Sequence, residues 1–587
     1  MSIIETVRSK CRDCYKCLRA CPVKAIKVER GSGPYEVHAS VHDDYCINCG
    51  TCIRECPQKA KKPRIDIHKV RELLEKGERV VASVAPSFAA VLEHPMGFIT
   101  ALRKAGFSAV QEAALGAEMV SAAHRRLLKE SQSPFIGSAC PAVVSLVERH
   151  YPEALKFLAP VVSPAIAHGK YIKRTMPGAK VVFIGPCVAK KEEIEDPMVA
   201  GAVDVALTFE ETLSWLSEEG IQVAECAEGR FDGPFPGRAR LYPADGGFLW
   251  ATIDCGLLSS GHVSVSGVEA SIEMVRHFLQ NDDVPRLVEL LACPGGCIAG
   301  PSHVSNRDLF EKRRLLIDYQ RSAQANPEDS PVDYERLLTS QELERSFRDL
   351  RVPLGKPSER QMREILENIG KYRPEDELNC GACGYSSCRD KAVAVFNGMA
   401  DPEMCIPYMR QRAESMANIV VSATPNGIIV TTLDGTIVDI NLAAEAMLGR
   451  TKQDLLGTRV AEIMDASLFN EAVITKAPSR GEVTLNDLVI DGQVICMPDV
   501  QLLVAVLMDI TEERRQMESR KRVAEEAVER ARRVIEEQME VAQKIAGLLG
   551  ETTAETKISL TALMKVIGEE MPSDGSTKSG SGGSSTP

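Results

Sequence analysis

Apolar and polar positions change their period along the chain. From about residue 66 a regular pattern begins: IDIHKVRELLEKG reads as an amphipathic helix, RVVASVA (79–85) as a buried strand, and AKVVFIGPC (179–187) as a second strand ending at Cys187. Strands alternating with helices predict an α/β domain, in which ligands gather beyond the carboxyl ends of the strands, where Pro86 and Cys187 fall. Further on, PNGIIVTTLDGTIVDINLAAEAMLG (425–449) predicts a strand, a tight Leu-Asp-Gly turn, a second strand and a helix opened by Asn441. VQLLVAVLMDITEERR (500–515) is a buried strand that runs into a helix.

Beyond Thr511 the pattern becomes heptad. Met517, Ala524, Ala531, Gln538 and Ile545 at a, with Lys521, Val528, Ile535, Ala542 and Leu549 at d, put apolar residues at eight of ten seam positions. A parallel dimer about 50 Å long is one reading, with Gln538 and Lys521 fixing the register; an amphipathic helix folded back on its own domain is the other. ETTAETKISLTALMKVI (551–567) predicts a further amphipathic helix, and GSTKSGSGGSS a flexible tail.

Composition changes the picture in one respect. Nineteen cysteines in 587 residues exceed what core packing uses, and MSIIETVRSK lacks an apolar stretch of signal-peptide length, so metal is expected rather than disulfides. No apolar run reaches membrane-spanning length, which predicts a soluble cytoplasmic protein without a membrane partner. A net charge of −12 with no basic stripe argues against nucleic-acid binding. The length predicts about three to five domains.

Residues 11–21 read CRDCYKCLRAC before Pro22, and 46–56 read CINCGTCIREC before Pro57. In C-x2-C-x2-C-x3-C-P, three thiolates of one loop grip one 4Fe–4S cube and the fourth crosses to the other. The expected sets are Cys11, Cys14, Cys17 with Cys56, and Cys46, Cys49, Cys52 with Cys21. A pair of zinc knuckles is the alternative use of such spacing. The segment 1–62 resembles a bacterial two-cluster ferredoxin, which implies an electron relay.

Cys140, Cys187, Cys293 and Cys297 lie in the contexts SACP, GPCVAKKEE and ACPGGC. With them, residues 66–345 resemble the catalytic domain of FeFe hydrogenases. The resemblance implies that Cys140, Cys187 and Cys293 hold a 4Fe–4S cube terminally and Cys297 bridges it to a diiron unit with CO, cyanide and a dithiolate. It also implies that Lys190 aims at one cyanide, that Glu193 completes that motif, and that Ala85, Pro86 and Ser87 cradle the other cyanide. Four ordinary buried thiols are the plain alternative.

Departures from the family bear on rate. Where active members carry a proton-relay cysteine stands Ala139, and the relay carboxylates of the following pattern are replaced by Ala123 and Leu127 in AEMVSAAHRRLL. Methionines that pack on the diiron unit give way to Gly185 and Leu291. Losing a positioned acid or base costs on the order of 10²–10⁴ in rate, so slow turnover is expected. His124 and His303 read as ordinary histidines, and Cys226 and Cys255 as structural thiols.

Cys380, Cys383, Cys388 and Cys405 form C-x2-C-x4-C-x16-C, which resembles the small 4Fe–4S domain of some electron-transfer and corrinoid-reducing proteins; a structural zinc is the alternative. The strand and helix pattern of 413–511 resembles a PAS domain, a class that senses small ligands or mediates dimerisation. No histidine follows His303, which excludes a histidine-ligated haem there, and Cys496 stands outside any flavin-photosensor motif.

The fold expected is therefore multidomain α/β and α+β. A ferredoxin domain (1–62) precedes a hydrogenase-like domain (66–345), and a small cluster domain (346–412) stands between that and a PAS domain (413–511). Coiled-coil signalling helices (512–567) and a tail (568–587) complete the chain. The leading expectation is a sensory FeFe-hydrogenase-like protein that reads hydrogen gas or redox state and controls a kinase or phosphatase in trans through a PAS and coiled-coil homodimer. The alternatives are a hydrogenase with real turnover coupled to an electron-transfer ferredoxin, and an iron–sulfur redox switch without the diiron unit.

Overall fold

The computed structural model describes residues 2–30, 37–253, 261–302, 305–324, 332–546 and 558–565. His303, Cys255, Leu549, the tail and the ends of the 551–567 helix lie outside them. The chain forms two compact units, Met1–Met409 and Arg410–Pro587.

The first unit opens with a duplicated half. Helices Lys16–Ala20 and Thr51–Glu55 each carry the third cysteine of a motif, and two-stranded sheets pair Ile4–Thr6 with Lys61–Pro63 and Ile26–Arg30 with Val37–Val41. The repeat extends to the backbone. Asp13 and Tyr15 flank Cys14 in the left-handed region as Asn48 and Gly50 flank Cys49, so each loop curls around a common centre.

Two parallel sheets come next in the chain. One orders Ala109–Glu112, Val80–Val84, Lys180–Gly185 and Val205–Thr208; the other orders His262–Ser266, Leu287–Leu291 and Phe135–Ile136. Val80–Val84 is buried throughout, as a strand covered by helices on both faces should be. Five strand ends run directly into the residues of interest: Ala85–Ser87 after Val84, Ala113 after Glu112, Cys187 after Gly185, Ala139 and Cys140 after Ile136, and Cys293 after Leu291. The carboxyl ends of both sheets thus meet one cavity, the place an α/β fold offers a ligand.

The small cysteine segment packs on the ferredoxin-like half, a contact that chain order alone does not indicate. Tyr385, Ala394, Met399, Ala400 and Met404 share a core with Leu18, Ala25 and Ile26 of the ferredoxin-like half. The physical reason is Gly384, at φ +93°, whose missing Cβ would stand 2.9 Å from the Arg19 Cα; only glycine lets this loop lie on helix Lys16–Ala20.

The second unit holds a five-stranded antiparallel sheet, ordered Ile437–Ile440, Gly427–Thr432, Leu502–Asp509, Leu488–Met497 and Ser479–Leu485. Gly427–Thr432 alternates buried and half-buried residues, the signature of one covered face. Asn441 caps the helix Leu442–Leu448, accepting the Ala444 amide at 3.0 Å. Helix Ile406–Ala423 crosses the expected 412/413 boundary without a break. Thr511–Ala546 is one helix, on which the seam residues Met517, Val528 and Ile545 are exposed.

Candidate metal centre

Cys140, Cys187, Cys293 and Cys297 line a single cavity of about 110 Å³ together with Ala85, Pro86, Ser87, Ala139 and Lys190. A lone water needs roughly 10–15 Å³ by the same measure, so the space suits a group much larger than solvent. The loop between the last two thiols is set by Gly296, at φ +92°, where a Cβ would meet the Pro243 carbonyl at 2.3 Å. Burial raises the Cys140 thiol, and burial followed by the neighbouring thiols pushes Cys187 up to about 11 and raises Cys293 and Cys297; Lys190 pulls Cys140, Cys187 and Cys297 back. As free thiols these groups hold their protons at neutral pH, and a cationic metal cluster is what would displace them.

The polar atoms of the wall are unevenly satisfied. Lys190 is 7% exposed and donates to Ser163 Oγ and to Glu193 Oε2, each at 2.6 Å, while Arg345 donates to Glu193 Oε1 at 3.0 Å and to Asp196 at 2.7 Å. A buried cation is thereby held by a buried anion that is itself paired, the condition under which such charges are tolerated. Ser87 is different: fully buried, its Oγ has no hydrogen-bond partner among the described residues. An orphan hydroxyl on the wall of a cavity fits a ligand with an acceptor atom. The donor set and this hydroxyl both fit the cluster with cyanide ligands that the resemblance implies.

Ala139 faces the same cavity with no exchangeable proton. Ala123 and Leu127 pack on the apolar core. His124 donates Nδ1 to the Val120 carbonyl at 2.8 Å, lies edge-on to Phe248, and is pushed down to about 4 by burial, which keeps it neutral. Cys226 is half-buried and points at the Gln222 carbonyl, 3.5 Å away.

Glu289 is a wall residue that the motifs did not single out. It is fully buried in Leu287–Leu291, accepts from the Phe248 amide at 3.2 Å and from Ser264 Oγ at 2.9 Å, and is pushed up to about 8, mainly by burial. Ser264 also reaches Asp245, whose other oxygen accepts from Ser266 at 3.1 Å. One acid inside an apolar strand four residues before Cys293 was the available signal.

The ferredoxin-like loops adjoin this cavity. Asn48 and Cys49 belong to its wall, and Asn48 donates to Glu192 at 2.8 Å. Cys21, Cys46, Cys49 and Cys52 line a second, small cavity, and the Cys17 thiol lies in the field of Cys11, Cys56 and Cys14, so the structure brings each expected foursome together. Cys380, Cys383, Cys388 and Cys405 line a third cavity with Lys371, Tyr385 and Lys391.

Comparison with known proteins agrees in kind. Residues 78–301 match the family of the iron only hydrogenase large subunit, C-terminal domain; residues 10–60 match a 4Fe-4S dicluster domain; residues 376–407 match a putative Fe-S cluster family; and residues 425–497 match a PAS domain. The chain is 25% identical over 433 residues to iron hydrogenase 1 of Clostridium pasteurianum, covering 61% of this chain and 74% of that one. It is 29% identical over 365 residues to the periplasmic Fe hydrogenase large subunit of Nitratidesulfovibrio vulgaris, covering 51% of this chain and 86% of that one. An FeFe-hydrogenase structure from Chlamydomonas reinhardtii aligns at a TM-score of 0.38 and 17% identity, over 49% of this chain and 99% of that one. The chain is an FeFe-hydrogenase-like protein that carries iron–sulfur domains and a PAS domain. Among the described residues no helix is long and apolar enough to cross a membrane.

Proposed function

We propose that this chain is a sensory FeFe-hydrogenase: it binds or slowly converts dihydrogen at the cavity and passes hydrogen or redox state through iron–sulfur clusters and a PAS dimer to a cytoplasmic kinase or phosphatase. The observation that carries the reading is the company Ala139 keeps. Four thiols, Lys190 and Ser87 share its cavity, so the residues expected to ligate the cluster and bind its cyanides are together while the expected proton donor is missing and Leu291 stands in for a packing methionine.

In this reading Cys140, Cys187, Cys293 and Cys297 would hold a 4Fe–4S cluster, with Cys297 the thiolate nearest an attached diiron group, which when bound would supply the metal where dihydrogen is split or formed. Lys190 presents a point charge to one cyanide nitrogen, steadied by Glu193 and Ser163. Ser87 would offer its only proton to the other cyanide, and Pro86, lacking an amide hydrogen, stiffens that turn. Ala139 can neither deliver nor take a proton, and absence of a positioned donor costs on the order of 10²–10⁴ in rate. Slow proton exchange suits a reporter, whose hydrogen-bound state must outlast the signalling step. The exposed heptad positions of Thr511–Ala546 then pair two copies.

Glu289 supports a second reading, a hydrogenase with real turnover, because its carboxyl carries a proton near neutral pH on the cavity wall. Infrared spectra of the anaerobically matured protein, under argon and then hydrogen, test both. Carbonyl and cyanide bands that shift reversibly are expected. Their absence despite competent maturation would leave an iron–sulfur redox switch. Deleting residues 413–587 should spare the hydrogen response and abolish control of the partner; control that survives the deletion would refute the sensory part.

A further inference from the structure

The small cysteine cavity has a wall unlike the other cluster sites. Lys391 is 1% exposed, lies among the Cys405, Cys383 and Cys388 thiols with Asp401 also near, and donates to the Pro402 carbonyl at 2.8 Å. Lys371, also buried, lines the same cavity. Tyr385 is 6% exposed, its hydroxyl has no hydrogen-bond partner among the described residues, and it packs in one core with Cys21 and Cys383, whose thiols both act on it. Four thiols and a partnerless buried hydroxyl fit an iron–sulfur cluster with acceptor sulfides.

Position and charge act in the same direction. The Cys383–Gly384–Tyr385 loop rests on the helix between Cys17 and Cys21, so the small site adjoins the ferredoxin-like half, which in turn adjoins the main cavity through Cys49. Reducing a cluster adds negative charge, which a buried ammonium stabilises more strongly than a solvated one would. We propose that the small site is the electron receiver of the first unit, with Tyr385 filling the contact to the Cys21-ligated cluster and Lys391 raising the site's affinity for an electron. One electron leaves the cluster held by Cys46, Cys49, Cys52 and Cys21, which is oxidised, and enters the cluster held by Cys380, Cys383, Cys388 and Cys405, which is reduced. No bond breaks and no proton is needed. Lys391 is a positioning residue here, and the inference rests on the iron–sulfur part of the reading above, not on the diiron group.

The test is a potentiometric titration followed by electron paramagnetic resonance on the full chain, reconstituted anaerobically with iron and sulfide. Cys380→Ser identifies the small site's signal by removing it. In the wild type that signal should appear at a higher potential than those of the ferredoxin-like clusters; if it appears last, the proposal is overturned. Lys391→Gln keeps a donor for Pro402 and removes the charge. It should lower the ratio of reduced to oxidised small cluster about tenfold at fixed potential, equivalent to about 59 mV for one electron, and Lys391→Arg should restore it. An unchanged midpoint in Lys391→Gln, or an equal shift in Lys391→Arg, overturns the role of the charge. If Lys391→Gln fails to assemble, the wild-type order of reduction still decides. Zinc in place of iron at this site would refute the electron role while leaving the infrared test of the main cavity untouched.

Discussion

The hydrogenase-like region and the PAS region bury their polar groups in opposite ways. The first encloses Lys190, Lys191, Glu193, Glu112 with Arg240, Glu289, His124 and His168, whereas the buried polar residues of the second are Thr431, Asn441 and Ser479. Taking charge out of water is costly unless it is paired, so a fold accumulates it where chemistry needs it. Arg240 grips Glu112 with three bonds of 2.8–2.9 Å, and Lys191 bridges Asp66 and Glu211 at 3.1 and 2.8 Å. The PAS core around Ile429, Ile490 and Ala505 is apolar packing, and no comparable group of thiols or charges is buried among its described residues. The difference places buried charge and clustered thiols in one region and apolar packing in the other.

Removing a thiol should break the comparison most completely. Cys297→Ala is expected to abolish the carbonyl and cyanide bands while leaving the PAS unfolding transition where it was; bands of wild-type intensity would mean that Cys297 holds nothing. Next comes Ala139→Cys, which adds a proton donor to the wall and should raise hydrogen turnover on the order of 10²-fold or more, measured by gas chromatography with a soluble electron donor. An unchanged rate would move the bottleneck elsewhere.

On the PAS side the effects should be those of packing alone. Ile490→Ala empties a fully buried position and should cost about 2–5 kcal/mol in the PAS transition without altering the infrared bands. Asn441 is the exception that sharpens the rule. It accepts from the Ile428 and Ala444 amides at 2.8 and 3.0 Å and donates to the Asn426 and Val421 carbonyls, both at 2.9 Å. Asn441→Ala should therefore cost about 2 kcal/mol, at the upper end for a helix cap, because it orphans several groups together. A loss under about 0.5 kcal/mol, read from denaturant curves, would show that water replaces those bonds.

The two regions also differed in how far they could be read from sequence. The PAS strands were legible because one covered face imposes alternation, and Asn441 stood where a helix must be capped. In the hydrogenase-like region, Cys140, Cys187, Cys293 and Cys297 announced themselves by context, and strand ends at Pro86 and Cys187 followed from the α/β pattern. Arg345 and Ser163 did not, because they reach Lys190 and Glu193 from segments far away in sequence that only tertiary packing brings near. The seat of the small cluster segment was hidden for the same reason: Gly384 looks like any turn glycine until Arg19 is found against it. Glu289 was visible as an acid in an apolar strand, yet its raised pKa depends on burial that no spacing encodes.

That carboxyl yields the smallest and most pointed test of the comparison. Glu289 titrates near pH 8 in the fold and near the ordinary glutamate value when unfolded, mainly because burial disfavours its charge. A raised carboxyl pKa means that the native state keeps a proton the unfolded state has lost, so stability is full below the unfolded value and falls as pH rises towards 8. Between pH 7 and 8 this amounts to about 1 kcal/mol. His124 and His168, pushed down to about 4 and about 3 by burial, act with the opposite sign. Their contribution is present above the unfolded value near 6.5 and lost as pH falls through the folded values, so the histidines add no slope between 7 and 8, where the buried thiols, raised in the fold, act in the same direction as the glutamate. Glu289→Gln should flatten the fall in first-unit stability across that interval, and the PAS transition should show no matching change. If the slope survives the substitution, the proton resides on another group and the cavity wall is not the seat of the charge that sets the two regions apart.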